Sequence, residues 1–378
     1  MKGIIVGGGI GGLTLGIALH QAGIDATVYE AAPVIKPVGA GILLGTNAML
    51  VMKKLGLDKK LQAAGQQVYN GAVTDGKGRI LQNMPMEMLE KHFGVTTTAI
   101  HRGRLQQILI DALPKDKFII DKRAISIENG AKPSVTFEDG TTAKGDFLIG
   151  ADGIHSVVRQ SIFPQIKKRY SGQTCWRGVV SMVLPKEKQF QIKEMWSKKG
   201  RFAAIQIAED LVYWYAVQKV EAGGKDNLSN LHQTIIPIFK EFDMAEKIIS
   251  KTPVNQIIRG DLYDLKPTRP WFQNNISLVG DAIHAMTPNL GQGGAQSIED
   301  AFALTRCLQK NKDLTSAFQQ YEKLRYPKAK FVVDQSRLFG AIAHWENPLM
   351  ISVRNFVLRN SPQKIFMKQF VKLYEVNY

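Results

Sequence analysis

Gly7, Gly9 and Gly12 stand at G-x-G-x-x-G spacing, directly after the apolar run Ile4-Ile5-Val6. Each glycine suits one task at a dinucleotide. Gly7 permits a tight turn, Gly9 lets the backbone approach a pyrophosphate, and Gly12 lets the next helix pack against the strand. Ile10, Leu13 and Ile17 follow at helical spacing. The N-terminus of that helix offers unpaired N–H groups and a positive dipole to the pyrophosphate. A second apolar run, Ala26-Thr27-Val28-Tyr29, ends at Glu30. A carboxylate there accepts hydrogen bonds from a ribose 2′-OH and repels a 2′-phosphate. This motif alone does not separate NAD from FAD.

Two later segments carry further chemistry. The first runs from Asp146 through Gly150-Ala151-Asp152-Gly153 to Ser156 and Arg159. The second is Gly280-Asp281-Ala282-Ile283-His284, continued by Pro288-Asn289-Leu290-Gly291-Gln292-Gly293-Gly294 and by Glu299-Asp300. Asp281 at a strand end can accept hydrogen bonds from polyol hydroxyls. The glycine turn after Pro288 frees backbone N–H groups at a helix start, which suit a group that becomes anionic. His284 sits among small residues and is expected to be a hydrogen-bonded core side chain. Asp152 reads equally as a simple turn residue beside a capping Ser156. No cluster has zinc spacing, and no G-x-S-x-G elbow occurs.

In this order the segments resemble the class A FAD-dependent monooxygenases, the family of p-hydroxybenzoate hydroxylase. Arg102-Gly103-Arg104-Leu105 resembles the family's arginine-led helix start, and Tyr321-Glu322-Lys323-Leu324-Arg325-Tyr326-Pro327 its Y-E-x-x-R-x-P helix. The resemblance covers most of the chain and is nearest the urate and salicylate hydroxylase and zeaxanthin epoxidase type. It implies non-covalent FAD held by Gly7, Gly9, Gly12, Glu30, Gly41, Arg102, Asp152, Asp281, Pro288, Gly291, Gly293 and Gly294. It implies NADPH or NADH as a transient donor, in keeping with the lack of a second G-x-G-x-x-G. The activity implied is O₂-dependent hydroxylation or epoxidation of an aromatic or olefinic small molecule through a C4a-hydroperoxyflavin. Gly294-Ala295-Gln296 departs from the family's usual residues after Gly-Gln-Gly, which affects contacts to the flavin ring. Tyr170 to Gly178 resembles the segment that opens the family's substrate unit, with Trp176 expected in the core. Arg201 and Tyr213 lie twelve positions apart (213 − 201), the spacing of a substrate-handling Arg and Tyr in the urate hydroxylase. They are the catalytic candidates. The alternatives are a flavin oxidase or reductase without oxygen insertion, and a non-catalytic flavin-binding protein.

These residues need a scaffold. A chain of 378 residues suggests roughly two or three units with a sizeable core. The pattern predicts an α/β, Rossmann-like FAD-binding domain with an inserted antiparallel β-sheet substrate domain and C-terminal helices. The expected division is 1–66, 98–169 and 266–345 for the FAD-binding domain, 67–97 and 170–265 for the substrate domain, and 346–378 for a helical tail. The glycine-rich loop Val38-Gly39-Ala40-Gly41-Ile42 joins the first domain, and Asp75-Gly76-Lys77-Gly78 marks a hairpin. Strands are expected at 179–184, 201–207 and 211–217, and a helix within 228–247.

Cys175 and Cys307 are the two cysteines, without a C-x-x-C partner, and read as buried thiols of a cytoplasmic protein. The net charge of +16 is spread over scattered Lys and Arg, without the interleaved aromatics of a strand-binding platform. Nucleic-acid binding is therefore not expected. No stretch has the apolar length of a membrane span, and no secretory leader is evident. The tail mixes Phe356, Phe366 and Phe370 with Arg354, Arg359, Lys364, Lys368 and Lys372. It is expected to pack as a helix with solvated lysines rather than to lie on an anionic membrane.

Overall fold

The computed structural model describes residues 1–36, 40–84 and 86–378, and the side chains of all of these except 363–366 and 369. Val38 and Gly39 of the expected loop, and the side chains of Lys364 and Phe366, lie outside the described residues.

The first strand, Lys2–Val6, is apolar on both faces and sits inside a six-stranded sheet. It pairs in parallel with Asp25–Tyr29 on one side and Phe147–Gly150 on the other. Beyond Phe147–Gly150 lies Ile276–Leu278, also parallel. Three strand ends therefore point the same way: Val6 toward Gly7, Gly150 toward Asp152, and Leu278 toward Asp281. Helices Ile10–Gln21 and Gly293–Lys310 pack together over this sheet. Near-continuous apolar strands covered by helices are what a parallel sheet requires.

A seven-stranded sheet forms the second layer, in the order Ile258–Leu265, Lys168–Ser181, Leu211–Lys219, Gly200–Ala208, Gln191–Ser197, Asn70–Asp75 and Ile80–Met84. The last two are the hairpin read at Asp75–Gly78. Its turn is held by Asp75 Oδ1, which accepts from Lys77 N and Arg79 N at 3.0 Å each. Period-two alternation gives the large sheet two different faces. Trp176, Phe202, Trp214 and Ala216 pack with helices Leu231–Phe239 and Ala245–Lys251. Arg177, Arg201, Tyr213 and Tyr215 occupy the opposite face, toward the first layer. We propose that the cofactor and substrate units divide at the expected boundaries, with strand Lys168–Ser181 crossing the one at residue 170.

Three expectations change. The strand expected at 179–184 is the end of the 14-residue strand Lys168–Ser181. In place of a single helix within 228–247 there are two: Leu231–Phe239 ends at Lys240, and Ala245–Lys251 starts after Met244, whose φ of +62° lies outside the right-handed helical region. The tail forms helices Pro348–Asn360 and Gln363–Tyr374, but Phe356, expected to pack, faces solvent. Both cysteines are buried free thiols, and burial raises each to about 11. Among the described residues no helix is long and apolar enough to cross a membrane.

A candidate active site between the two sheets

The glycine turn after Lys2–Val6 is shaped for an anion. Gly7 has φ +111°, and a Cβ there would meet the Ala151 carbonyl at 2.5 Å. A Cβ on Gly12 would lie 2.0 Å from the Gly7 carbonyl oxygen, so helix and turn touch through backbone. Gly9 differs, because nothing stands within 4 Å of its added Cβ. Gly9 is also the N-cap of Ile10–Gln21, with no capping side chain and no acid in the first turn. The helix dipole therefore meets open space at the one glycine assigned to a pyrophosphate. Glu30 braces the turn, accepting from Gly8 N at 2.7 Å and from Ala32 N at 2.8 Å. Gln106 Nε2 donates to the Gly8 carbonyl at 3.0 Å. Glu30 keeps acceptor capacity for a ribose hydroxyl.

Asp152 sits beside this turn, its Cα 2.9 Å from a Cβ built on Gly7. Its Oδ2 accepts from Val157 N at 2.7 Å and Val158 N at 3.2 Å, anchoring the helix Val157–Ile162, while Ser156 caps Arg159 N. Its Oδ1 is buried without a partner, and burial raises its pKa despite these donors. Its capping role is therefore shown, and its free Oδ1 is compatible with the cofactor reading.

Asp281 opens the turn after Ile276–Leu278, following Gly280 at φ +58°. Its carboxylate is exposed to the cleft yet ringed by protein. That surrounding raises its pKa, opposed by His284 and Arg102. Underneath, Asp300 accepts from Gly280 N at 2.8 Å, His284 Nε2 at 2.5 Å and Arg325 Nε at 2.7 Å. Burial pushes Asp300 upward, but His284 and Arg325 outweigh it and hold the carboxyl at about 2. His284 is thus a bonded core residue.

The turn Pro288–Leu290 leads through Gly291 to the start of helix Gly293–Lys310. Gln292 is buried and accepts from Asn47 Nδ2 at 2.9 Å, and Asn47 also donates to Glu299 at 2.6 Å. A Cβ on Gly294 would meet Ile42 Cδ1 at 2.8 Å, and one on Gly41 would meet Tyr213 Cγ at 2.5 Å. Strand Gly41–Leu44 is therefore wedged between the Gly293–Gly294 helix start and Tyr213. Gly41 pairs with His101, and Arg102 N donates to the Ala40 carbonyl at 2.9 Å. This brings Arg102 to the same junction. Burial and the charge of Arg177 lower Arg102, while Asp281 and Tyr213 oppose them.

Tyr213 and Arg201 lie on the same face but apart. Tyr213 pairs with Ile205 and Arg201 with Val217, four residues along the strand, or about 13 Å. Burial pushes Tyr213 far above an ordinary phenol, so it stays a neutral donor. Arg201 is 1% exposed. It donates to Glu194 Oε1 at 3.0 Å, Asn289 Oδ1 at 2.6 Å and Gln173 Oε1 at 3.3 Å. Glu194 also receives Trp196 Nε1 at 2.6 Å and the Tyr215 hydroxyl. Asn289 in turn donates to the Ser336 carbonyl at 2.8 Å. Arg201 thus ties the large sheet to the Pro288–Leu290 turn and does not reach open cleft.

Arg177 received no role from its sequence neighbourhood. The signal was alternation: Trp176 on the helix-covered face obliges Arg177 to face the cleft. Trp176 is core, donating from Nε1 to Asp226 at 2.7 Å.

The residues present fit FAD. There is an open helix N-terminus at Gly9, an acceptor at Glu30, an exposed carboxylate at Asp281, and a second helix start at Gly293.

A family model described as an FAD binding domain matches residues 1–336. The aurachin C monooxygenase/isomerase of Stigmatella aurantiaca is 37% identical over 94% of this chain and 93% of its own. The 2-heptyl-3-hydroxy-4(1H)-quinolone synthase of Pseudomonas aeruginosa is 33% identical over 95% and 94%. Klebsiella pneumoniae HpxO, solved with FAD and uric acid, superposes with a TM-score of 0.90 at 27% identity, covering 99% of this chain and 96% of that one.

Proposed function

The chain belongs to the FAD binding domain family and is an FAD-dependent monooxygenase-type oxidoreductase, and on that premise we propose that it spends NAD(P)H and O₂ to insert one oxygen into an electron-rich aromatic ring. The relatives named for urate and for a 4-quinolone favour a fused nitrogen heterocycle. Oxidised carbons of that kind carry carbonyl or enol oxygens that a cationic, donor-lined pocket can orient.

The observation that carries this reading is the meeting of Arg102, Arg177 and Tyr213 with Asp281 beside Gly41. When bound, FAD supplies the reducing equivalents and the activated oxygen. Glu30, Gly9 and the helix behind it would hold its adenosine diphosphate end. Asp281 would accept from its polyol, and the N–H groups at Gly293 and Gly294 would stabilise negative charge developing on its ring. Tyr213, held protonated, donates to a substrate oxygen. Arg102 and Arg177 provide positive potential for an enolate-like substrate. Arg201 positions the Pro288–Leu290 turn.

The test is NADH and NADPH oxidation by FAD-loaded protein, with urate and 2-heptyl-4(1H)-quinolone as probes. The expected outcome is substrate-stimulated oxidation and a product gaining one oxygen atom. Stimulated oxidation that yields only H₂O₂ or a dehydrogenated product would mean an oxidase or reductase. No oxidation by either nucleotide, with or without probe, would mean a non-catalytic flavoprotein.

A further inference from the structure

We propose that helix Pro348–Asn360 is a docking face for an anionic lipid surface. Its outward side carries Leu349, Met350, Val353, Phe356 and Val357, with Leu349 73% and Phe356 68% exposed. Their spacing, i, i+1, i+4, i+7 and i+8, makes one apolar stripe along the helix. Ile80, on the strand against which this helix packs, is a further exposed apolar side chain, at 50% exposure. Scattered exposed apolar residues need no explanation, but a contiguous stripe marks an interaction surface.

Charge selects the occupant. Apart from Arg354, which is buried against Trp196, residues 347–374 contain Arg359, Lys364, Lys368 and Lys372 and no Asp or Glu, within a chain of net charge +16. Arg359 shares Asp75 with Arg79, at 2.9 and 2.8 Å, so two cations stand on one carboxylate beside the stripe. Lys368 and Lys372 are exposed on the following helix. An exposed apolar helix face in a segment whose other surface charges are all positive is the pattern of an amphipathic helix lying in a lipid interface. A second copy of this chain would bring the same cations together and be repelled.

The experiment is flotation of FAD-loaded protein with vesicles of phosphatidylcholine alone, or mixed with phosphatidylglycerol, at low and high salt. The expected result is flotation with the anionic vesicles, weakened by salt. Val353→Asp/Phe356→Asp should lower partitioning about tenfold or more, since even one large side chain is withdrawn from lipid. Lys368→Glu/Lys372→Glu should lower it roughly fivefold or more per charge. Flavin absorbance and melting temperature should not change, because the four side chains are exposed. The proposal is overturned if the unaltered protein stays with the aqueous fraction. It is equally overturned if the Asp variant floats as well as the parent, or if ultracentrifugation shows a dimer that the Asp variant turns into a monomer.

Discussion

Arg201→Met separates two roles for a residue that lies near the chemistry. The side chain is buried and bonded to Glu194, Asn289 and Gln173. Methionine keeps much of its volume but leaves Glu194, itself 10% exposed, without its cation. Removing one partner of a buried ion pair costs about 3–5 kcal/mol, mostly from the stranded charge. Trp196 Nε1 and the Tyr215 hydroxyl still solvate that carboxylate, so the lower half of that range, ~3 kcal/mol, is expected. The loss of the Asn289 bond also frees the Pro288–Leu290 turn, and FAD affinity should fall with it. Urea unfolding followed by tryptophan fluorescence measures the first effect, and flavin titration the second. Adding Glu194→Gln removes the stranded charge, so the double variant should recover at least ~1 kcal/mol. If Arg201→Met unfolds within ~1 kcal/mol of the parent and holds FAD, yet oxygenated product per NAD(P)H collapses, Arg201 touches substrate and the positioning role is wrong.

Asp281→Ala should raise the FAD dissociation constant roughly 10- to 100-fold, the loss of a charge-assisted bond of ~1.5–3 kcal/mol, while the apoprotein melts as before; unchanged flavin titration refutes the assignment. Gly9→Ala should leave apoprotein stability within ~0.5 kcal/mol, because its φ is −74° and its surroundings are open, yet weaken FAD at least about tenfold. Gly12→Ala should instead cost ~1–3 kcal/mol of stability, since the methyl meets the Gly7 carbonyl; equal stability effects at the two positions would contradict this geometry. Asp300 titrates at about 2 against an ordinary 3.8, so it contributes roughly 2 kcal/mol above pH ~4 that is lost as pH falls toward ~2. Parent and Asp300→Asn should therefore differ in stability at neutral pH and converge in acid; a constant gap would show that the Asp300 charge is not responsible.

The cofactor half of this protein was written in local sequence. Its determinants act over a few residues: glycines at a turn, an acid at a strand end, and apolar runs that can only be buried strands. Gly7, Gly12, Glu30 and Asp281 could be placed because the requirement on each is set by its immediate backbone. The substrate half depended on contacts that sequence distance conceals. Arg201 and Tyr213 stand at a suggestive spacing, but strand register places them four residues apart along one face. Glu194 pairs Arg201 within its own sheet, and only the arrival of Asn289, 88 residues downstream, ties it to the Pro288–Leu290 turn. Arg177 gained its place beside Arg102 because the large sheet lays its Trp176-bearing face on helices. The tail is the clearest division. Its mixed apolar and basic composition was legible, and fitted a packed helix as well as an exposed one. Which of its faces met solvent was decided by the strand Ile80–Met84 and the hairpin beneath it, because burial belongs to the neighbours a helix finds and not to the helix alone.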